Sequence, residues 1–149
     1  MADLPQNPIL PAGYEFHHIG YATASIEKER ELFALLGYRQ EGEAFSDPIQ
    51  GVAGCFLVSL GPRIELLENL PGSSALTSWL DVGIKLYHFG YLVVDLAAAV
   101  AWARSIRAKI TVAPVPSVAF NGRRISFAML RNGLLLEFIE RSRSWDDEQ

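Results

Sequence analysis

Two histidines and two glutamates stand in matched positions and carry the chemistry that this chain can offer. His18 lies in Phe16-His17-His18-Ile19-Gly20-Tyr21-Ala22, and the same spacing of histidine, glycine and tyrosine returns in Leu86-Tyr87-His88-Phe89-Gly90-Tyr91-Leu92. Glu65 lies in Arg63-Ile64-Glu65-Leu66-Leu67-Glu68, and Glu137 in Leu135-Leu136-Glu137-Phe138-Ile139-Glu140. Taken singly, either histidine reads as a hydrogen-bonded core residue. The duplication argues that four groups converge. Glu137 is flanked by apolar side chains on both faces of its strand, where an ionised carboxylate costs on the order of several kcal/mol unless it meets a cation. Glu65 has Arg63 as a cheaper partner. Two imidazoles and two carboxylates with room for water suit a divalent ion such as Mn, Fe, Co, Ni or Zn, and the ligand set does not choose among them.

The elements that must position these groups repeat as well. Residues 14–23 alternate as a strand, with Phe16, His18, Gly20 and Ala22 on one face and His17, Ile19 and Tyr21 on the other, so His17 is expected to point away from His18. Ser25 caps a helix that runs to about Leu36, burying Ile26, Leu32, Phe33 and Leu36, and Gly37 ends it. Strands follow at 38–44, 52–60 and 63–69, with a loop at 45–51 punctuated by Pro48 and Gly51. A connection at 73–80 carries a short serine-capped helix. The order then restarts with a strand at 85–94 and a helix capped by Asp95, whose Leu96, Val100, Trp102 and Ala103 face the sheet. Strands at 109–112, 124–130 and 133–140 complete it, with a proline-containing loop at 113–120. The expected fold is α+β: two βαβββ modules, about 14–69 and 85–140, form one curved eight-stranded mixed sheet around a cleft, in a single domain over 1–149. Residues 1–13 read as an extended lead-in and 141–149 as a frayed polar tail.

Composition narrows the partners. The 149 residues are 50% apolar and 20% charged, the profile of a folded globular chain. A net charge of −4 without a long basic cluster argues against nucleic acid. A single cysteine, Cys55, allows no internal disulfide and reads as a small core residue. No apolar run approaches the roughly 20 residues of a spanning helix, and the N-terminus has no signal-peptide pattern, so no membrane partner and a cytoplasmic location are expected.

The chain resembles the vicinal oxygen chelate superfamily, which includes glyoxalase I, extradiol dioxygenases and bleomycin-resistance proteins, and within it methylmalonyl-CoA epimerases. The resemblance runs from Phe16 to Glu140. It is carried by His17-His18-Ile19-Gly20, Tyr87-His88-Phe89-Gly90, Gln50-Gly51-Val52, Ile64-Glu65-Leu66-Leu67-Glu68, Asn121-Gly122-Arg123-Arg124-Ile125-Ser126-Phe127 and Leu135-Leu136-Glu137-Phe138. It implies a glyoxalase-like fold, a homodimer, and metal ligands at His18, Glu65, His88 and Glu137. It further implies a small-molecule substrate, an acyl thioester or 2-oxo compound, whose carbon next to a metal-held carbonyl loses a proton to a carboxylate. Glu137 is the first candidate for that base, with Glu65 beside it. Gln50 is a substrate-side contact by the same resemblance, and Arg123 could grip an anionic part of the substrate.

The chain departs from the epimerase pattern at Gly54, where some members have a carboxylate, at Ala128-Met129, and at Tyr87, where a second histidine is usual. Other readings of the same site are a glyoxalase I-type lyase, an extradiol-type Fe(II) dioxygenase with two histidines and one carboxylate, and a metal-free resistance-type binding protein. Tyr21 and Tyr91 read as equivalent packing residues.

Overall fold

The computed structural model describes residues 10–141; the lead-in before Leu10 and the tail after Arg141 lie outside the described residues. The first module runs β1 (Glu15–Ala22), α1 (Ile26–Ala34), β2 (Arg39–Asp47), β3 (Val52–Val58) and β4 (Ile64–Asn69). A short helix, α2 (Thr77–Asp81), leads to the second module: β5 (Leu86–Val93), α3 (Leu96–Ser105), β6 (Lys109–Pro116), β7 (Arg124–Met129) and β8 (Leu135–Glu140). A 3-10 turn at Val118–Phe120 separates β6 from β7.

All eight strands share one mixed sheet in the order β2-β3-β4-β1-β5-β8-β7-β6. Each half uses the same connections: β1 lies parallel to β4 and β5 parallel to β8, while the two halves join through the antiparallel pair β1 and β5. This is the expected pair of βαβββ modules. A sheet with one apolar face per module buries that face only by sharing it, and the central pair makes the sheet continuous.

The helices cover the outer face. Leu96, Ala99 and Ala103 of α3 pack with Val93, Ala128, Leu136 and Phe138, and Trp102 joins them at the margin, edge-on to Tyr14 and Phe138. Ile26 and Phe33 of α1 pack on Cys55, Leu57, Ile64 and Leu66. Leu32 and Leu36, expected inside, are 60% and 69% exposed. The helix ends at Ala34, and the face turned inward also spends a position on Glu29, which is buried and pairs with Lys85 Nζ at 3.0 Å. Ser25 and Asp95 cap α1 and α3 as expected, accepting from the amides of Lys28 and Ala98.

The boundaries of β2, β6 and α2 differ from the sequence reading for identifiable reasons. Strand β2 continues through Phe45, Ser46 and Asp47, because a bulge after Glu41 restores pairing of Phe45 with Gly54 and Asp47 with Val52. Strand β6 includes Pro114 and Pro116; it is a sheet edge, where a missing N–H costs no ladder bond. Helix α2 begins after Leu76 and has no serine cap; Ser73 Oγ accepts instead from the amide of Ala75, upstream of the helix. Among the described residues no helix is long and apolar enough to cross a membrane.

Candidate metal centre

The central strands set two rows of residues across the sheet. In one, Glu65 of β4 pairs with Gly20 of β1, which pairs with His88 of β5. In the other, Glu137 of β8 pairs with Gly90 of β5, which pairs with His18 of β1. Each row contains one glutamate, one glycine and one histidine, and the glycine is the middle member. An added Cβ at Gly20 would stand 2.2 Å from Cε1 of His88, and one at Gly90 would stand 2.2 Å from Cε1 of His18. The repeated glycines thus give each imidazole the space over the opposite strand.

One ligand atom from each of His18, Glu65, His88 and Glu137 falls within a common span of 4.8 Å. The Nε2 atoms of the two histidines lie 2.9 Å apart. Oε1 of Glu65 is 3.3 Å from both of them, and Oε1 of Glu137 is 3.1 Å from both. All four residues are buried. The expected convergence is therefore present in the structure.

Four polar groups buried this deeply require either protons or a cation to hold them together. Without a cation the imidazoles take up protons. Burial works against charge on His18, but the Glu65 and Glu137 carboxylates outweigh it and lift the imidazole to about 9. His88 is raised in the same direction, with burial opposed by the neighbouring Glu137 and Glu65 carboxylates. Glu65 also resists burial, and the two imidazoles hold its carboxyl well below the usual carboxylate range. Oε1 of Glu137 nonetheless has no aligned hydrogen-bond donor among the described residues. Two imidazole nitrogens and two carboxylate oxygens converging on one point, with one of those oxygens unsatisfied, fit a divalent cation of the transition series.

His17 lies where the strand alternation did not place it. Its Nδ1 is 2.8 Å from Nδ1 of His18, not on the far side of the strand. The cause is a β-bulge: Phe16 pairs with Tyr91 and His18 with Gly90, so His17 is an extra residue in β1. A second register shift, between the Gly20–His88 and Tyr21–Leu86 pairs, makes Tyr87 the extra residue of β5. The repeat therefore includes its bulges. The ring of His17 sits edge-on to Phe56 and Phe120. Burial, then the neighbouring His18 and Arg63, push it down to about 3, which keeps it neutral.

A largely enclosed cavity opens over Glu65, His88 and Glu137. Its walls are Phe45, Val52, Leu67, Ala75, Tyr87, Ala119 and Phe127, with Gln50 and Ser117 as polar members. Gln50 is held by its own Nε2, which donates to Asp47 Oδ2 at 3.0 Å and to Ser117 Oγ at 3.3 Å. Arg123 does not reach this cavity; it lines an outer groove with Glu41, Glu43 and Asn121 and lies over the Phe120 ring. Gly54 is backed by Phe45, whose Cζ would be 2.5 Å from an added Cβ, so the aromatic ring fills the space a larger residue would need. Cys55 is a buried core residue, as expected.

Sequence reasoning did not single out Asp47. It is buried and accepts from the amides of Ile49, Gln50 and Val118, joining the end of β2 to the turn of the second module. The Asp47-Pro48 pair before a turn was the available signal.

Two βαβββ modules joined in one eight-stranded sheet, with a His2Glu2 cluster shared between them, define a duplicated α+β class of fold. The chain belongs to the Glyoxalase/Bleomycin resistance protein/Dioxygenase superfamily, whose pattern matches residues 17–127. Among solved structures, a hypothetical protein from Bacillus halodurans C-125 is similar with a TM-score of 0.75 and 24% identity, over 88% of this chain and 96% of that one. Methylmalonyl-CoA epimerase from Mycobacterium tuberculosis is similar with a TM-score of 0.74 and 23% identity, over 90% of this chain and 93% of that one. A methylmalonyl-CoA epimerase in complex with methylmalonyl-CoA and NH4+ gives 0.70 and 21%, over 89% of this chain and 97% of that one. At these identities the likeness is one of fold. No curated protein matches the chain in sequence.

Proposed function

We propose that the protein is a metal-dependent isomerase or lyase that moves a proton at the carbon next to a carbonyl, in the manner of a methylmalonyl-CoA epimerase. His18, Glu65, His88 and Glu137 hold the ion. A divalent cation there supplies Lewis-acid stabilisation of the negative charge that develops on the carbonyl oxygen. The remaining work belongs to the chain. The apolar walls from Phe45 to Phe127 receive a small acyl group and exclude water. Glu137 takes the proton, since its Oε1 faces the cluster 3.1 Å from both imidazole Nε2 atoms with neither aligned to donate to it. Glu65 lines the same cavity from β4, across the pseudo-twofold from Glu137 on β8, and is the second carboxylate that can return the proton.

The observation that carries this reading is the convergence of two imidazoles and two carboxylates within 4.8 Å at the floor of an enclosed apolar cavity. Both carboxylates face the same point. That favours proton transfer over an oxygenase, which needs two histidines and only one carboxylate so that positions stay open. Acyl-CoA thioesters lead the substrate classes because one structurally similar epimerase is in complex with methylmalonyl-CoA.

The test is solvent deuterium exchange into 2-methyl-branched acyl-CoA thioesters and 2-oxoaldehyde adducts, with protein purified without chelator and with added Co, Mn, Ni, Zn or Fe. Metal-dependent incorporation at the acidic carbon is expected. A chain that takes up a stoichiometric ion yet exchanges deuterium into none of these compounds would rule out the proposed reaction. A chain that takes up no ion would favour the resistance-type binding protein.

A further inference from the structure

We propose that His17 is the positioning residue for the metal ligand His18: its Nδ1 accepts a hydrogen bond from the Nδ1–H of His18, which leaves the lone pair of His18 Nε2 directed at the cluster. The inference rests on the metal reading above and extends it to a residue outside the four.

An imidazole that coordinates through Nε2 carries its proton on Nδ1, and a buried N–H needs an acceptor. Such acceptors fix both the tautomer and the plane of the ligand ring, and they are usually carboxylates, backbone carbonyls or water. Here the atom within reach of His18 Nδ1 is Nδ1 of His17, at 2.8 Å. Three features hold that acceptor still. The bulge turns the His17 ring to the same side as His18. Phe56 and Phe120 clamp the ring edge-on, with centroids at 5.6 Å and 5.4 Å. Arg63 Nη1 donates to the carbonyl of His17 at 2.9 Å, which pins the bulge itself.

The second module lacks this device. Tyr87 occupies the equivalent bulge with its ring edge-on to His88, and Nδ1 of His88 is a buried atom without a hydrogen-bond partner among the described residues. The two repeated histidines are thus unequal: one is tethered before any ion arrives. A cation displaces only the proton at Nε2, so the contact between Nδ1 atoms is common to the metal-free and metal-bound states. The tether therefore reduces the ordering that binding requires.

Cobalt(II) binding to the full chain, followed by calorimetric titration, is the measurement. His17→Phe keeps an aromatic ring and removes the acceptor, and it should weaken binding by about 10- to 100-fold. His17→Asn, which restores a short acceptor, should recover part of that loss. In the wild-type zinc form, 15N spectra of the imidazoles should show His18 protonated at Nδ1 and His17 unprotonated there, a readout that does not depend on any variant folding. If the wild type binds cobalt and His17→Phe binds it equally well, or if His18 Nδ1 carries no proton, the positioning role is wrong while the metal site stands. If the wild type binds no divalent ion, the metal reading fails and this inference fails with it.

Discussion

The imidazole of His88 occupies the space that a side chain on Gly20 would need, with only 2.2 Å between its Cε1 and an added Cβ. Gly90 stands in the same relation to His18. The repeated histidine-x-glycine pattern is thus one reciprocal device, in which each module's glycine makes room for the other module's ligand. It also explains why the site needs both modules: neither half contains both members of either histidine and glycine pair.

Gly20→Ala and Gly90→Ala should each push an imidazole out of the cluster. Neither ring has free space, since His18 and His88 are fully buried. Overpacking of this kind costs about 1–3 kcal/mol, and metal capacity should fall in both variants. Denaturant unfolding together with metal analysis of the purified variants checks this. A Gly20→Ala protein with unchanged stability and full metal occupancy would mean that His88 does not sit over β1.

In protein kept in chelator, stability should peak near pH 6.5. His18 is raised from 6.5 to about 9, so its contribution is fully present below 6.5 and is lost as the pH rises through 9. His88 acts in the same direction. His17 is lowered to about 3 and stays neutral when folded, so below 6.5 the unfolded chain takes up a proton that the folded chain refuses, and stability falls with pH. Glu65, held below 4.5, adds to the loss at the acid end. Thermal melts across pH 4 to 9 measure the profile. A melting temperature that climbs steadily to pH 9 in chelator would contradict the protonated cluster.

The fold was legible because the repeat was. Matching His18 with His88 and Glu65 with Glu137 implied two copies of one unit, and strand periodicity with the Ser25 and Asp95 caps placed most elements. The bulges were not legible. Alternation assigns His17 to the face opposite His18, and nothing local in Phe16-His17-His18 signals an extra residue, because the bulge is set by pairing with Gly90 and Tyr91 across the modules. The inward positions assigned to Leu32 and Leu36 failed for a related reason. Both are apolar at helical spacing, but the short α1 turns only part of its surface to the sheet. Arg123 reads from its charge as a grip for an anionic part of the substrate, and the turn at Val118–Phe120 carries it to the outer groove.

The two carboxylates can be separated by isosteric variants. With metal supplied to saturation, Glu137→Gln should slow deuterium exchange by about 100- to 10,000-fold, the range lost with a general base. Glu65→Gln should cost less, since Oε1 of Glu137 is the buried carboxylate oxygen left without an aligned hydrogen-bond donor. Metal affinity measured in parallel distinguishes loss of a base from loss of a ligand. If Glu65→Gln proves the more damaging at equal occupancy, the assignment of the base is reversed.

Asp47 holds the rim of the cavity together, and its two oxygens do different work. Oδ1 accepts from the amides of Ile49 and Gln50 and shapes the turn, whereas Oδ2 accepts from Gln50 Nε2 and from the amide of Val118 in the other module. Asp47→Asn can keep the turn through its remaining oxygen but places an amide donor against two donors. It should destabilise the protein by about 1–3 kcal/mol and speed hydrogen exchange at the Val118 amide, while Asp47→Ala should also loosen the turn at Ile49 and Gln50. Because Gln50 and Ser117 line the cavity, the latch positions polar groups at its wall as well as joining the modules. Unchanged protection of the Val118 amide in Asp47→Asn would show that the two modules meet at the rim without this contact.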